Sequence, residues 1–242
     1  MTSSRRVGAA GVVAAVCVLA VFGIAAAQAE QPDESTVIRS VDAAVKARID
    51  GIAAYTVTEH YIVYRSHDET HPVAEMTVKT EYRKETGKSY TILSQSGSEF
   101  IRKYVLGPLL DHEKEINLPG NREASWFTSA NYEMKLKQSG VAQMDGRTCY
   151  ALAISPRRKG TNMIDGTLWV DARDGEIVRL EGSATQSPSI FTGPAQVMRQ
   201  YVSVNGFGMA SHARAVSDSF LLGQTVVTID YRDYQIQLNP AR

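Results

Sequence analysis

Asp165-Gly-Thr-Leu-Trp-Val-Asp-Ala-Arg-Asp-Gly-Glu-Ile-Val-Arg-Leu-Glu-Gly182 holds two alternating apolar/polar runs, Leu168 to Val170 and Ile177 to Leu180, around Arg173-Asp174-Gly175. Asp and Gly tolerate the positive φ of a tight turn, so the stretch reads as a β-hairpin. The same pattern continues in both directions. Upstream, Tyr132 to Met144 meets Arg147 to Ser155 across Asp145-Gly146, a second Asp-Gly hairpin signal. Downstream, Gln196 to Val204 and His212 to Asp218 read as strands parted by Asn205-Gly206-Phe207-Gly208. Gly223 precedes a last long strand, Thr225 to Leu238. Its apolar residues hold odd positions at Val227, Ile229 and Tyr231, then even ones at Tyr234, Ile236 and Leu238. That change of parity near Arg232-Asp233 predicts a bulge or sharp bend, a device that lets a long sheet curl.

Earlier in the chain, Tyr55 to Arg65, Val73 to Arg83 and Ser89 to Gln95 have strand composition, separated by Ser66 to Pro72 and Lys84 to Lys88. Two helical segments interrupt the β pattern. Pro32-Asp33-Glu34-Ser35 carries capping residues and early acids, and Ile38, Val41, Val45, Ile49 and Ile52 then recur at helical spacing. The second segment opens with Ser96 and Glu99 at capping-box spacing and presents Phe100, Tyr104 and Val105 on one side. Gly107-Pro108 breaks or kinks it, because proline removes a donor and clashes with the preceding turn. Leu109, Leu110, His112 and Ile116 continue an apolar side to Pro119-Gly120. The expected class is α+β: a single strongly curved antiparallel sheet with an N-terminal helix and a helical insertion against one face.

Arg5 and Arg6 precede an apolar run from Val7 to Ala27, and Ala27-Gln28-Ala29 has the small-x-small pattern of signal-peptide cleavage. The expected organisation is a cleaved signal peptide over residues 1–29 and a single domain over 30–242. An uncleaved N-terminal anchor is the alternative, since a run of about 20 residues reaches across a hydrocarbon core. Cys17 does not read as a lipid-attachment site, because Val16 precedes it and the apolar run continues beyond. Past the leader one cysteine remains, Cys149, in the run Thr148-Cys-Tyr-Ala-Leu-Ala-Ile154, where it reads as a small buried strand residue. With 26 basic against 26 acidic residues the chain lacks the concentrated positive footprint that nucleic acid requires.

No stretch supplies a nucleophile, base and orienting group together, and there is no nucleophile elbow, phosphate loop or dinucleotide fingerprint. His67-Asp-Glu-Thr-His71 gathers two imidazoles and two carboxylates, but the zincin order H-E-x-x-H on a helix is missing, so the cluster reads as a solvated loop. Asp171, Asp174 and Glu176 are explained by the turn they surround. His60 and His212 read as structural histidines within strands. The expectation is a protein with no catalytic residue, no metal site and no cofactor.

These elements together resemble the LolA-like family of bacterial periplasmic proteins, and within it the outer membrane lipoprotein-sorting-protein-like members. The resemblance is carried by the N-terminal helix before paired strands, Lys103-Tyr-Val-Leu-Gly-Pro-Leu-Leu-Asp111, Asn131-Tyr132-Glu133, Asp145-Gly-Arg-Thr-Cys-Tyr-Ala-Leu152, the Gly166-to-Gly182 hairpin, Ser187-Pro-Ser-Ile-Phe191 and Ile229-Asp-Tyr-Arg-Asp-Tyr234. It implies a half-open barrel whose apolar concave face is partly lidded by helices, in a periplasmic carrier for a lipid, an acyl chain or a lipoprotein anchor. Phe100, Tyr104, Leu109, Leu110 and Trp169 are then the residues expected to line the cavity. Ordinary core packing is the competing account of these side chains, and of Phe191, Phe207 and Phe220. The resemblance leaves a second role open, an envelope sensor or interaction module that binds a membrane-protein partner in place of a lipid.

Overall fold

Ten strands pair into one sheet in the order β3-β2-β1-β10-β9-β8-β7-β6-β5-β4 in the computed structural model of the chain, which describes residues 32–160, 162–186, 193–219 and 223–240. The leader, Ser187 to Phe191 and Phe220 lie outside the described residues. The strands are β1 Ile52–Arg65, β2 Ala74–Arg83, β3 Gly87–Gly97, β4 Tyr132–Met144, β5 Arg147–Pro156, β6 Ile164–Asp171, β7 Ile177–Ala184, β8 Gln196–Val204, β9 Phe207–Ser219 and β10 Gly223–Leu238. Every pairing is antiparallel, and only β1 with β10 joins strands that are not consecutive. The sheet does not close, and β3 and β4 are its two free edges. The class expected from the sequence is the class observed.

Turn chemistry sets the hairpins. Asp145 and Gly146 have φ of 49° and 75°, and Asn205 and Gly206 of 53° and 80°, the double positive φ of a two-residue turn. Asn205-Gly206 suffices by itself. Val204 therefore pairs directly with Phe207, and β9 begins at Phe207 where a longer loop was expected. The parity change in β10 is a bulge. Thr56 pairs with Gln235 and Thr58 with Arg232, so the β10 side has one residue more, and Asp233 takes a φ of 58° there.

The chain leaves one free edge at Gly97 and enters the other at Tyr132, so the segment between them spans the opening of the sheet. It begins with α2, Glu99–Ile101, capped by Ser98, whose hydroxyl accepts from the Ile101 N–H. A π-helical stretch, Arg102–Leu106, runs without a break into α3, Gly107–Ile116. Gly107-Pro108 thus widens the helix and does not interrupt it. The Gly107 N–H bonds back to the Arg102 carbonyl, and the wider turn relieves the clash a proline makes with an α-helical carbonyl. A 3₁₀ turn, Arg122–Ser125, completes the crossing.

Two cores form on the same face of the sheet. The first helix, α1 (Glu34–Gly51), is capped by Asp33 accepting from the Thr36 N–H, and buries Val37, Val41 and Val45. These pack on Tyr132, Leu152, Ile154, Leu168, Val170 and Leu180 of β4 to β7. Asp42 ties the helix down by accepting from the Ser129 N–H at 2.8 Å and hydroxyl at 2.6 Å. The second core sets Ile101, Leu106 and Leu110 of the insertion against Tyr61, Val63, Met76, Val78 and Ile229. Full burial of such side chains is worth about 1.5–3 kcal/mol each, enough to hold both helical elements on the sheet.

Candidate ligand-binding cavity

Between the two cores the sheet keeps a cavity of about 700 Å³. Alternation along the strands decides which side chains reach it. Tyr55, Val57 and Glu59 of β1, Val197, Arg199 and Tyr201 of β8, Ala213, Ala215 and Ser217 of β9, and Thr225, Val227, Ile229 and Tyr231 of β10 are each two residues apart and share the inner face. After the bulge Tyr234 takes over from Tyr231. Ala44, Val45 and Arg48 of α1 form one wall, and Tyr104, Val105, Pro108, Leu109, Glu113 and Ile116 of the insertion form another.

The five residues expected to line the cavity part company. Tyr104 and Leu109 belong to its wall. Leu110, 4% exposed, turns away from it into the core beneath the insertion. Phe100, 53% exposed, stands outside, its ring tilted against that of Tyr104 at 4.7 Å. Trp169 lies between Leu168 and Val170, both of which face the α1 core, so alternation sends it to the opposite face of β6. The tryptophan on the cavity wall is Trp126, just after the 3₁₀ turn, with Phe127 beside it.

Within this largely apolar wall sits a charged cluster from four separate elements. The Lys88 ammonium of β3 donates to the Glu113 carboxylate of α3 at 2.8 Å, and the Arg199 guanidinium of β8 lies 3.9 Å from its other oxygen. Glu59, 3% exposed, accepts from the Tyr61 hydroxyl and lies close enough to act on the Lys88 charge. Burial by itself would raise the Glu113 carboxyl, but Lys88 and Arg199 outweigh it and hold the group at about 2. Burial likewise works against the Lys88 ammonium, and Glu113, Tyr55 and Glu59 more than reverse that. The Tyr231 phenol is pushed up, chiefly by burial.

The groups considered as catalytic or metal-binding have structural partners. Asp171 is 1% exposed and accepts from the Arg173 N–H and Nη2, both at 2.9 Å, while Asp174 accepts from the Glu176 N–H at the hairpin turn. His60 meets Glu75 at 3.1 Å and His212 meets Asp230 at 2.8 Å across strand pairs. His71 contacts Asp68 at 3.0 Å in the β1–β2 loop, and among the described residues no group of three or more His, Cys, Asp or Glu is arranged to hold a metal ion. Cys149 is a buried free thiol.

No protein-family model matches this sequence, and no curated protein matches it. Solved structures do. A LolA superfamily protein from Nitrosomonas europaea is 10% identical, with 87% of this chain and 96% of that one covered, at a TM-score of 0.47. A DUF1329 family protein from Desulfovibrio piger is 13% identical, with 85% and 95% covered and a TM-score of 0.47. An outer membrane lipoprotein-sorting protein domain from Vibrio parahaemolyticus is 13% identical, with 85% and 94% covered and a TM-score of 0.48. At that distance no ligand, partner or activity carries over from them. No helix among the described residues is long and apolar enough to cross a membrane, which leaves β-barrels unaddressed.

Proposed function

We propose that this chain is a non-catalytic binding or carrier protein for a hydrophobic ligand, exported to the periplasm by its first 29 residues. The observation that carries the reading is the cavity of about 700 Å³ on the inner face of an open sheet, walled by two helical elements. Ligand pockets fall at about 300–1,000 Å³, with mostly apolar walls and a few placed polar groups. A packed sheet-and-helix core has no use for such a space, since protein interiors fill to the density of organic crystals. The driving force is transfer of the ligand's chain out of water. At about 0.8 kcal/mol per CH₂, ten methylenes supply about 8 kcal/mol, from which the costs of association are subtracted.

The test is the mass of the protein recovered from a bacterial periplasm, recorded under native conditions before and after organic extraction. A bound mass that extracts as lipid is the expected result. A ligand-free mass, together with no response to added fatty acids or lipopeptides, refutes the carrier reading and leaves the interaction module as the assignment.

A further inference from the structure

An apolar cavity needs no charge, yet this one has five cationic residues on its wall, Arg48, Lys88, Arg122, Arg199 and Arg214, against three carboxylates, Glu59, Glu113 and Glu176. Arg214 is matched outside the cavity by Glu69, at 2.6 Å. Arg48 and Arg122 are held by neutral oxygens, the first by the Gly208 carbonyl at 3.4 Å and the second by the Tyr82 hydroxyl at 3.2 Å and the Lys84 carbonyl. Lys88 and Arg199 share the single Glu113 carboxylate, at 2.8 and 3.9 Å. The Nε atoms of Arg122 and Arg199 are buried without a protein acceptor. With Arg214 set aside, four cations still face three carboxylates, so the wall keeps a surplus of positive charge, and two of its arginines hold a buried Nε donor that no protein oxygen accepts.

The surroundings of Arg199 show where a chain would go. Arg199 pairs in register with Ala213, and the next inward step along β8, Val197, pairs with Ala215. Across the following strand Ala213 faces Ile229 and Ala215 faces Val227. Two alanines in the middle of the sheet thus leave an apolar trough that starts beside the guanidinium and is continued by Ala184 and Ala195 on the wall. Charge at one end of an apolar trough is the complement of an amphiphile.

Resting on the carrier reading, we infer that the cavity takes an amphiphile with one anionic head. Its carboxylate or phosphate seats against Lys88 and Arg199 in the place that the Glu113 carboxylate now holds, and its chain lies along Val197, Ala213, Ala215 and Val227. Head selection comes from charge-assisted hydrogen bonds in a site of low dielectric, and the apolar trough supplies the chain affinity that any head would share.

Isothermal titration of the delipidated protein at pH 7.5 with four ligands of equal chain length tests this: laurate, dodecyl phosphate, neutral monolaurin and dodecyltrimethylammonium. The expected result is that at least one anionic ligand binds tenfold or more tightly than monolaurin, with the cationic one weakest. Laurate ahead of dodecyl phosphate names a carboxylate head and the reverse a phosphate head, and either order supports the inference. Arg199→Gln should cut the ratio of anionic-ligand to monolaurin affinity tenfold or more, and Glu113→Gln should raise that ratio because the internal competitor of the anionic head is gone. Equal affinity for all four ligands overturns the inference and leaves the carrier reading intact. No binding by any of them overturns both. The comparison among ligands on the unmodified protein decides the matter even where a variant does not fold.

Discussion

Replacing Glu113 by glutamine takes the one carboxylate from between Lys88 and Arg199 without changing the size of the side chain, and the structure sets what that costs. In the fold the carboxyl is held at about 2, against an ordinary 4.5, because Lys88 at 2.8 Å and Arg199 at 3.9 Å outweigh its burial. A carboxyl so depressed favours the folded state by about 3 kcal/mol at neutral pH. The sign follows from the depression. The contribution is complete above the unfolded value near 4.5, shrinks as the pH falls, and is nearly gone at about 2. Glutamine is neutral throughout and has no such dependence. Urea unfolding of the wild type and Glu113→Gln at pH 7, 5, 4 and 3 should therefore show a stability gap of about 3 kcal/mol that narrows by about 2 kcal/mol between pH 7 and pH 3. The other carboxyls titrate in both proteins and cancel in the difference. A gap that stays constant with pH, or widens as the pH falls, refutes the claim that Glu113 is ionised between two cations.

Other consequences can be checked on the same protein. The chain has 2 tryptophans, and only Trp126 is on the cavity wall, so a ligand-induced change in emission should survive Trp169→Phe and vanish in Trp126→Phe; the opposite pattern would put the ligand elsewhere. Gly175 has a φ of 75°, and a Cβ there would run into the Ser40 carbonyl group of α1, so Gly175→Ala should cost about 1–3 kcal/mol in urea unfolding. An unchanged midpoint would show that the β6–β7 turn does not seat against α1. Cys149 is fully buried and its thiol is pushed up by burial, with Asp171 adding to the effect. In a Cys17→Ser background it should react with Ellman's reagent only at the rate of unfolding, and fast labelling of the native protein would contradict its burial.

The fold was legible because its signals are local. Asp145-Gly146 and Asn205-Gly206 can take positive φ at both turn positions, which fixes where the strands reverse, and period-two alternation then fixes the faces. Even the β10 bulge was written in the chain, as apolar residues changing from odd to even positions around Asp233. The helical insertion was harder. Ser96, which has capping-box spacing to Glu99, belongs to β3, and Ser98 is the cap that the geometry uses. Gly107-Pro108 signals a disturbed helix but not which disturbance, since a break and a π-turn both relieve the clash of a proline ring.

The same alternation could have found the charged cluster, which size and hydrophobicity concealed. Glu59 is in phase with Tyr55, Val57, Tyr61 and Val63, and Arg199 with Val197 and Tyr201, so each charge sits in the inward series of its strand. A charged residue in an inward series is expensive unless something answers it, and that makes it more informative than one more aromatic in the same series. Trp169 fails the identical test, being out of phase with Leu168 and Val170. What alternation cannot supply is the meeting of Lys88 with Glu113 and Arg199. These residues lie on β3, α3 and β8, and only the path of the insertion between the two free edges of the sheet brings the helix carboxylate over both cations. Strand pattern thus chooses the candidates, while the crossing of the open side decides which of them share a site.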